Sequence, residues 1–137
     1  MVQLVSDLPT RLTDLLEAPS TCLLSTLNPD GAPQLTEVWV DTDGKNILVN
    51  TVEGHRKLKN VRRDPRVAVS ILDRADPSTY YSVAGTVISI DTEGAAAHID
   101  RLSQKYTGAP YRNYRGVPQT RVLLTIRPDR IVHAPWS

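Results

Sequence analysis

The sequence predicts an α+β fold, a mainly antiparallel sheet or small barrel with helices at its ends or gaps, and three observations predict it. Several short runs are apolar and β-branched, among them "STCLLSTL", "NILVNT" and "RVAVSILD". Most of the strand-like runs are joined by short turns, which favours antiparallel pairing. Three other segments carry helical character, with apolar residues three or four apart among polar neighbours.

In chain order, "SDLPTRLTDLLEAP" (residues 6–19) offers Ser6 or Asp7 as an N-cap and spaces Leu8, Leu12, Leu15 and Leu16 as on a helix until Pro19. "STCLLSTL" reads as a strand closed by the turn "NPDG". "APQLTEVWVDT" alternates Thr36, Val38 and Val40 against Leu35, Glu37 and Trp39, and "DTDGK" turns it into "NILVNT", giving three antiparallel strands in sequence. From Glu53 to Arg63 the period changes, with Leu58 and Val61 three apart, and Asp64-Pro65 stops a short helix. "RVAVSILD" and "STYYSVAGTVISI" are strands, the second with Gly85 as a bulge or bend. "DTEGAAAHIDRLSQKYTG" is a helix capped by Asp91 or Thr92, with Ile99 and Leu102 facing the core and Gly108 at its end. A polar, aromatic loop, "APYRNYRGVPQT", leads to one or two last strands in "RVLLTIRPDRIVHAPW".

The chain of 137 residues has the length of one domain, residues 1–137, and its 40% hydrophobic content suffices for one core. A net charge of +1 excludes a general polyanion binder, so any cationic function is local. Cys22 is the single cysteine and sits in an apolar run, so no internal disulfide or thiolate cluster forms, and a cytoplasmic setting is expected. No apolar run approaches the roughly 18 residues of a membrane span, and the N-terminus lacks a signal-peptide pattern.

Residues 50–67, "NTVEGHRKLKNVRRDPRV", hold six of the sixteen Lys and Arg residues and only two acids. A helix start offers unpaired N–H groups and a partial positive charge, an anion site in outline. His55, Arg56 and Lys57 stand in that first turn, against the helix dipole at ~0.3 to 1 kcal/mol per cation, an arrangement that a bound anion offsets. Arg supplies a fork, Lys a point charge and Thr51 a hydroxyl, all suited to phosphate. A solvated helix face and a nucleic-acid contact are the competing explanations. Near-neutral charge and the lack of a recognisable reading module weigh against nucleic acid.

At residues 31–72, "GAPQLTEVWVDTDGKNILVNTVEGHRKLKNVRRDPRVAVSIL", the sequence resembles the split-β-barrel flavin and deazaflavin proteins related to pyridoxamine 5'-phosphate oxidase. The block "T…RK…N…RDPRV" carries the likeness, and "RVLLTIRPDRI" is similar to the family's closing strand. Within the superfamily, residues 31–34 and 60–66 resemble the "G.PQ" strand and "NLRRDPR" segment of short actinobacterial-type enzymes that use coenzyme F420. The flavin oxidases share the Thr, Arg and Lys positions, which makes FMN the rival ligand. Their C-terminal substrate-binding Arg and His residues have no clear counterpart here.

The resemblance implies an FMN-binding type of split barrel and an F420-dependent reductase, passing a hydride from C5 of the reduced ring to a small unsaturated organic molecule. It implies that Thr36, Val38, Trp39 and Val40 lie along the tricyclic ring, with main-chain groups at its pyrimidine edge. Asn50 and Thr51 would reach the phosphate region, and Arg56 and Lys57 would bind the phosphate. His55 stands where related enzymes often carry a basic or hydroxyl residue. A homodimer with the site between subunits is implied, the second subunit supplying later residues. Tyr80, Tyr81, Tyr111, Arg112, Tyr114 and Arg115 have suitable chemistry for that role. A flavin, deazaflavin or haem carrier of the same fold is the non-catalytic alternative.

Other chemistries are set aside on spacing. His55, His98 and His133 are far apart without carboxylate companions at ligand spacing, and His98 is expected at the surface. No nucleophile elbow is present. "DTDG" lacks the spaced acids of a calcium loop and is explained by a hairpin turn. The shortage of an acid, base or nucleophile suits hydride transfer, in which the cofactor carries the chemistry.

Overall fold

A computed structural model describes residues 2–4, 7–113 and 116–134. The elements are β1 (Val2–Leu4), α1 (Thr10–Glu17), β2 (Thr21–Leu27), β3 (Pro33–Val38), β4 (Val40–Thr42), β5 (Ile47–Val52), α2 (Arg56–Arg63), β6 (Arg66–Leu72), β7 (Tyr80–Asp91), α3 (Ala95–Thr107) and β8 (Arg121–Ala134). All strands join one antiparallel sheet in the order β3-β2-β6-β7-β8-β5-β4, with β1 added on β8. This is the α+β split barrel expected from the sequence.

The stretch read as one strand, residues 32–42, is two. β3 pairs with β2 and β4 pairs with β5, so the three strands in sequence do not form one meander. β3 and β4 lie at opposite ends of the hydrogen-bonded path, yet only Trp39 separates them in the chain. The sheet therefore curls until its two ends meet, and the covalent chain closes it.

The barrel interior is filled by alternating positions: Cys22 and Leu24, Val67, Val69 and Ile71, Val83, Val122, Leu124 and Ile126. Leu12, Leu15 and Leu16 of α1 add one helical face to this core, as their spacing requires. β5 departs from alternation and is buried at five of six positions, because α3 covers its other face. Cys22 is core as expected, and burial pushes its thiol up to about 12.

β8 is one strand of fourteen residues rather than two. It continues through Pro128 because the ladder shifts register opposite it, between Ala84 and Gly85, and Gly85 faces Pro128 across the shift. Helix ends also differ from expectation. α1 starts at Pro9 with no side-chain cap; Asp7 lies outside the helix and Ser6 outside the described residues. α3 is capped by Gly94 at φ 78 rather than by Asp91 or Thr92. Its C-cap is Gly108, as read from the sequence. β1, for which the sequence offered no distinct pattern, pairs with β8.

Candidate functional site

The basic stretch divides along its length. Arg62 forks onto Glu53 (Nη1 to Oε2 2.9 Å, Nη2 to Oε1 2.6 Å), Arg66 pairs with Asp64 (2.7 Å), and Arg63 donates to the Leu27 carbonyl oxygen. Asn60 is fully buried and donates to Thr26 Oγ1 and Asn28 Oδ1, both at 3.0 Å, which ties α2 to the β2–β3 hairpin. The three later arginines and Asn60 are thus engaged within the fold.

The earlier half of the stretch opens a cleft of about 230 Å³ where β5 runs into α2. Val38 and Trp39 form one wall, Asn50, Thr51 and Val52 another, and His55 with Lys57 stands at the helix start. Ile99 and Leu102 of α3 close the apolar side, and Tyr111 and Arg121 close the polar one. Gly54, at φ 95, makes the turn that takes the chain from strand to helix.

Three basic side chains, His55, Lys57 and Arg121, line the cleft against one carboxylate, Glu37, beside Val38. Burial first, and then the charge of Arg121, holds the Lys57 ammonium below its usual range. His55 is held down by burial, Lys57 and Arg121, in that order. Burial lowers the Arg121 guanidinium too, with Tyr111 partly offsetting it. Among the described residues no carboxylate forms a salt bridge with any of the three. His55 is the N-cap of α2 and gives no side-chain cap, and the Arg56 and Lys57 backbone N–H groups donate to no described residue. Thr51 is 2% exposed and its Oγ1 has no hydrogen-bond partner among the described residues. Lone donors and an orphaned hydroxyl around a pocket of positive charge fit an anion such as phosphate.

Arg121 is bound by neutral acceptors. Its Nε donates to Asn50 Oδ1 (2.8 Å), its Nη1 to Tyr111 Oη (3.1 Å) and Gln119 Oε1 (3.2 Å), and it lies 5.1 Å from the centre of the Tyr111 ring. Asn50 in turn donates to the Ala95 carbonyl oxygen (2.9 Å) and meets His98 Nδ1 (3.1 Å). His98, expected at the surface, is 1% exposed and has a carboxylate companion after all, with Nε2 3.2 Å from Asp41 Oδ2. Desolvation pushes the Asp41 carboxyl up, but hydrogen bonds from His98 and the Thr42 amide and the charge of Lys105 outweigh it and hold the group low.

Of the residues named from the sequence, the cleft brings together Val38, Trp39, Asn50, Thr51, His55, Lys57 and Tyr111. Thr36 pairs with Leu24 away from it, also with an unpartnered Oγ1. Val40 is in the core, and its main chain is already used: its N–H donates to Tyr106 Oη (3.2 Å) and its carbonyl accepts from Lys105. Arg56 immediately precedes Lys57, about 100° away around the helix, and faces a separate hollow with Asn28, Pro29 and Asp30. Tyr80 pairs with Leu72 and Ala134, and Tyr81 is buried with its ring 4.8 Å from that of His133. Arg112 is exposed outside the cleft, and Tyr114 and Arg115 lie outside the described residues. Arg121 and His98 were missed. Arg121 opens the closing strand next to a polar loop, a signal that identifies a strand end but not what it faces.

The family model for pyridoxamine 5'-phosphate oxidase matches residues 8–133. Among solved structures, an F420 reductase is 28% identical, with 91% of this chain and 98% of that one covered and a TM-score of 0.78. A conserved hypothetical protein from Mycobacterium tuberculosis is also 28% identical, covering 96% and 88%, at a TM-score of 0.71. HupZ from Group A Streptococcus, 20% identical over 93% and 94% of the two chains with a TM-score of 0.67, shares the fold.

Proposed function

The chain belongs to the pyridoxamine 5'-phosphate oxidase family, and on that premise we propose that it is an F420-dependent oxidoreductase acting on a small unsaturated organic molecule. The observation that carries the proposal is the trio Lys57, His55 and Arg121, none of them in a salt bridge among the described residues, around the orphaned Thr51 hydroxyl. The likeness to an F420 reductase over nearly the whole of both chains supports the deazaflavin. The family model supports FMN as the rival ligand, with the same phosphate seat.

In this proposal Lys57, Arg121, the free amides of Arg56 and Lys57, and Thr51 Oγ1 hold the phosphate. Trp39 and Val38 offer a flat apolar wall for a ring, and Ile99 and Leu102 keep water from it. When bound, a reduced deazaflavin supplies the hydride, and the protein orients it and excludes competing reactions. A cleft of about 230 Å³ is smaller than the ~300–1,000 Å³ of ordinary small-molecule sites. We therefore assign the missing wall to a second subunit of a cytoplasmic homodimer, with Tyr80, Arg112 and Arg115 as the residues it brings. Neither nucleic acid nor a membrane is a partner in this proposal.

Fluorescence titration with F420, and separately with FMN, tests it. Tight F420 binding that Lys57→Ala weakens is the expected result. Tight FMN binding with no response to F420 overturns the deazaflavin assignment. Reduced F420 that is oxidised only when an acceptor is supplied separates an enzyme from a carrier.

A further inference from the structure

Asn50 has one possible orientation. Its Nδ2 lies 2.9 Å from the Ala95 carbonyl oxygen, which can only accept, so that end of the amide is the nitrogen. His98 Nδ1, 3.1 Å away, must then accept the second amide hydrogen. The imidazole proton consequently sits on Nε2 and is donated to Asp41 Oδ2 at 3.2 Å. Asn50 Oδ1 is what remains, and it accepts from Arg121 Nε at 2.8 Å. Direction passes without a break from β4 through α3 and β5 to the cation in the cleft.

We propose that Asp41, His98 and Asn50 are positioning residues for Arg121, setting the plane of its guanidinium and leaving its Nη2 edge for an anionic group of a ligand. That edge makes no hydrogen bond to a described residue, whereas Nε and Nη1 are both engaged. The geometric part stands on the hydrogen bonds; the effect on affinity rests on the phosphate function proposed above. A half-buried cation held only by neutral dipoles needs those dipoles aimed, because no opposing charge re-aims it.

Heteronuclear NMR and calorimetry on the full chain test this. In the unaltered protein His98 shows the Nε2–H tautomer and Arg121 Nε–H exchanges slowly. His98→Leu removes the acceptor, and His98→Gln keeps an acceptor toward Asn50 and a donor toward Asp41. The Leu variant is expected to speed Arg121 Nε–H exchange and to weaken inorganic pyrophosphate about tenfold, the loss of one charge-assisted contact. The Gln variant restores both to within about twofold, and in an Arg121→Ala background His98→Leu has no further effect. An Nδ1–H tautomer, unchanged exchange in the Leu variant, or equal losses in Leu and Gln overturns the proposal. If the Leu variant does not fold, the tautomer and the Gln variant decide. Should pyrophosphate, F420 and FMN all fail to bind the unaltered protein, the phosphate function falls, and the tautomer and exchange measurements still decide the positioning chain.

Discussion

The Trp39 indole stacks on the Tyr106 ring, with centroids 5.3 Å apart and planes 13° from parallel. Trp39 is the residue at which the sheet's two ends meet, so this contact fixes α3 to the closure of the barrel. Tyr106 secures the same place with its hydroxyl, donating to the Ser20 carbonyl oxygen at 2.7 Å and accepting from the Val40 N–H. Lys105 adds hydrogen bonds to the Leu16 and Val40 carbonyl oxygens. One wall of the cleft is therefore as rigid as the α3 junction behind it.

Tyr106→Phe keeps the stack and removes the hydroxyl. The Ser20 carbonyl and Val40 N–H then lose a partner, and a stability loss of about 1–3 kcal/mol is expected from denaturant titration. Tyr106→Ala should cost more, by about 0.5–1.5 kcal/mol for the lost ring contact beyond its buried area, and should also shift Trp39 emission. A Phe variant as stable as the unaltered protein would show that water satisfies both groups.

The proposed phosphate seat should cost the free protein stability. Thr51→Val removes a buried hydroxyl that has no partner among the described residues, so the ligand-free variant is expected to be as stable as its parent or up to about 1 kcal/mol more stable. Lys57→Met removes an ammonium disfavoured by burial and by Arg121, and should likewise raise Tm. Both should weaken a phosphate-bearing cofactor. Thermal melts with and without ligand read the two effects together, and a Thr51→Val protein that melts lower but binds normally would remove Thr51 from the seat.

Sequence pattern reached as far as chain-local facts extend. The Thr51–Lys57 junction was legible because a helix start rich in cations contradicts the dipole, and the Gly85 bulge because a glycine interrupts a long β-rich run. The break at Trp39 was not legible, since the alternation of Val38 and Val40 continues through it and only curvature separates the two strands. Nor was the role of His98. Its neighbours Asp41 and Asn50 lie 57 and 48 positions away, and its burial depends on α3 lying over β5, a second layer that local periodicity does not encode. Arg121 was hidden for the same reason: its partner Asn50 comes from the adjacent strand's register.

pH should separate the free from the liganded site. His55 lies below its ordinary value of 6.5 in the folded protein, so as pH falls through 6.5 the unfolded chain takes up a proton before the folded one, and stability is lost over that window. The imidazole is largely exposed, which keeps the effect modest. A bound phosphate favours the imidazolium and reverses the sign at this residue. Ligand-induced stabilisation is expected to be greater at about pH 5.5 than at about 7.5, with proton uptake on binding that His55→Gln abolishes. Calorimetry in two buffers of different ionisation enthalpy measures that uptake, and its absence would place His55 away from the anion.

At the register shift the extra residue is Asp129 of β8, and Gly85 of β7 is the residue that permits it. A Cβ at Gly85 would meet the Arg127 carbonyl oxygen and Ile126 Cγ2, each at 2.8 Å. Both are inflexible, one being backbone and the other packed inside the barrel with Ile126 fully buried. Gly85→Ala is therefore expected to cost about 1–3 kcal/mol, as overpacking does, by forcing β7 and β8 apart at the register shift facing Pro128. The Val87 N–H, which donates to the Pro65 carbonyl oxygen at 2.9 Å just beyond the shift, should exchange faster in the variant. Cofactor affinity should change little, because the shift lies at Pro128, well along β8 from Arg121 and from Val122, which pairs with Thr51. A variant that loses affinity in proportion to stability would instead make the bulge part of the site's support.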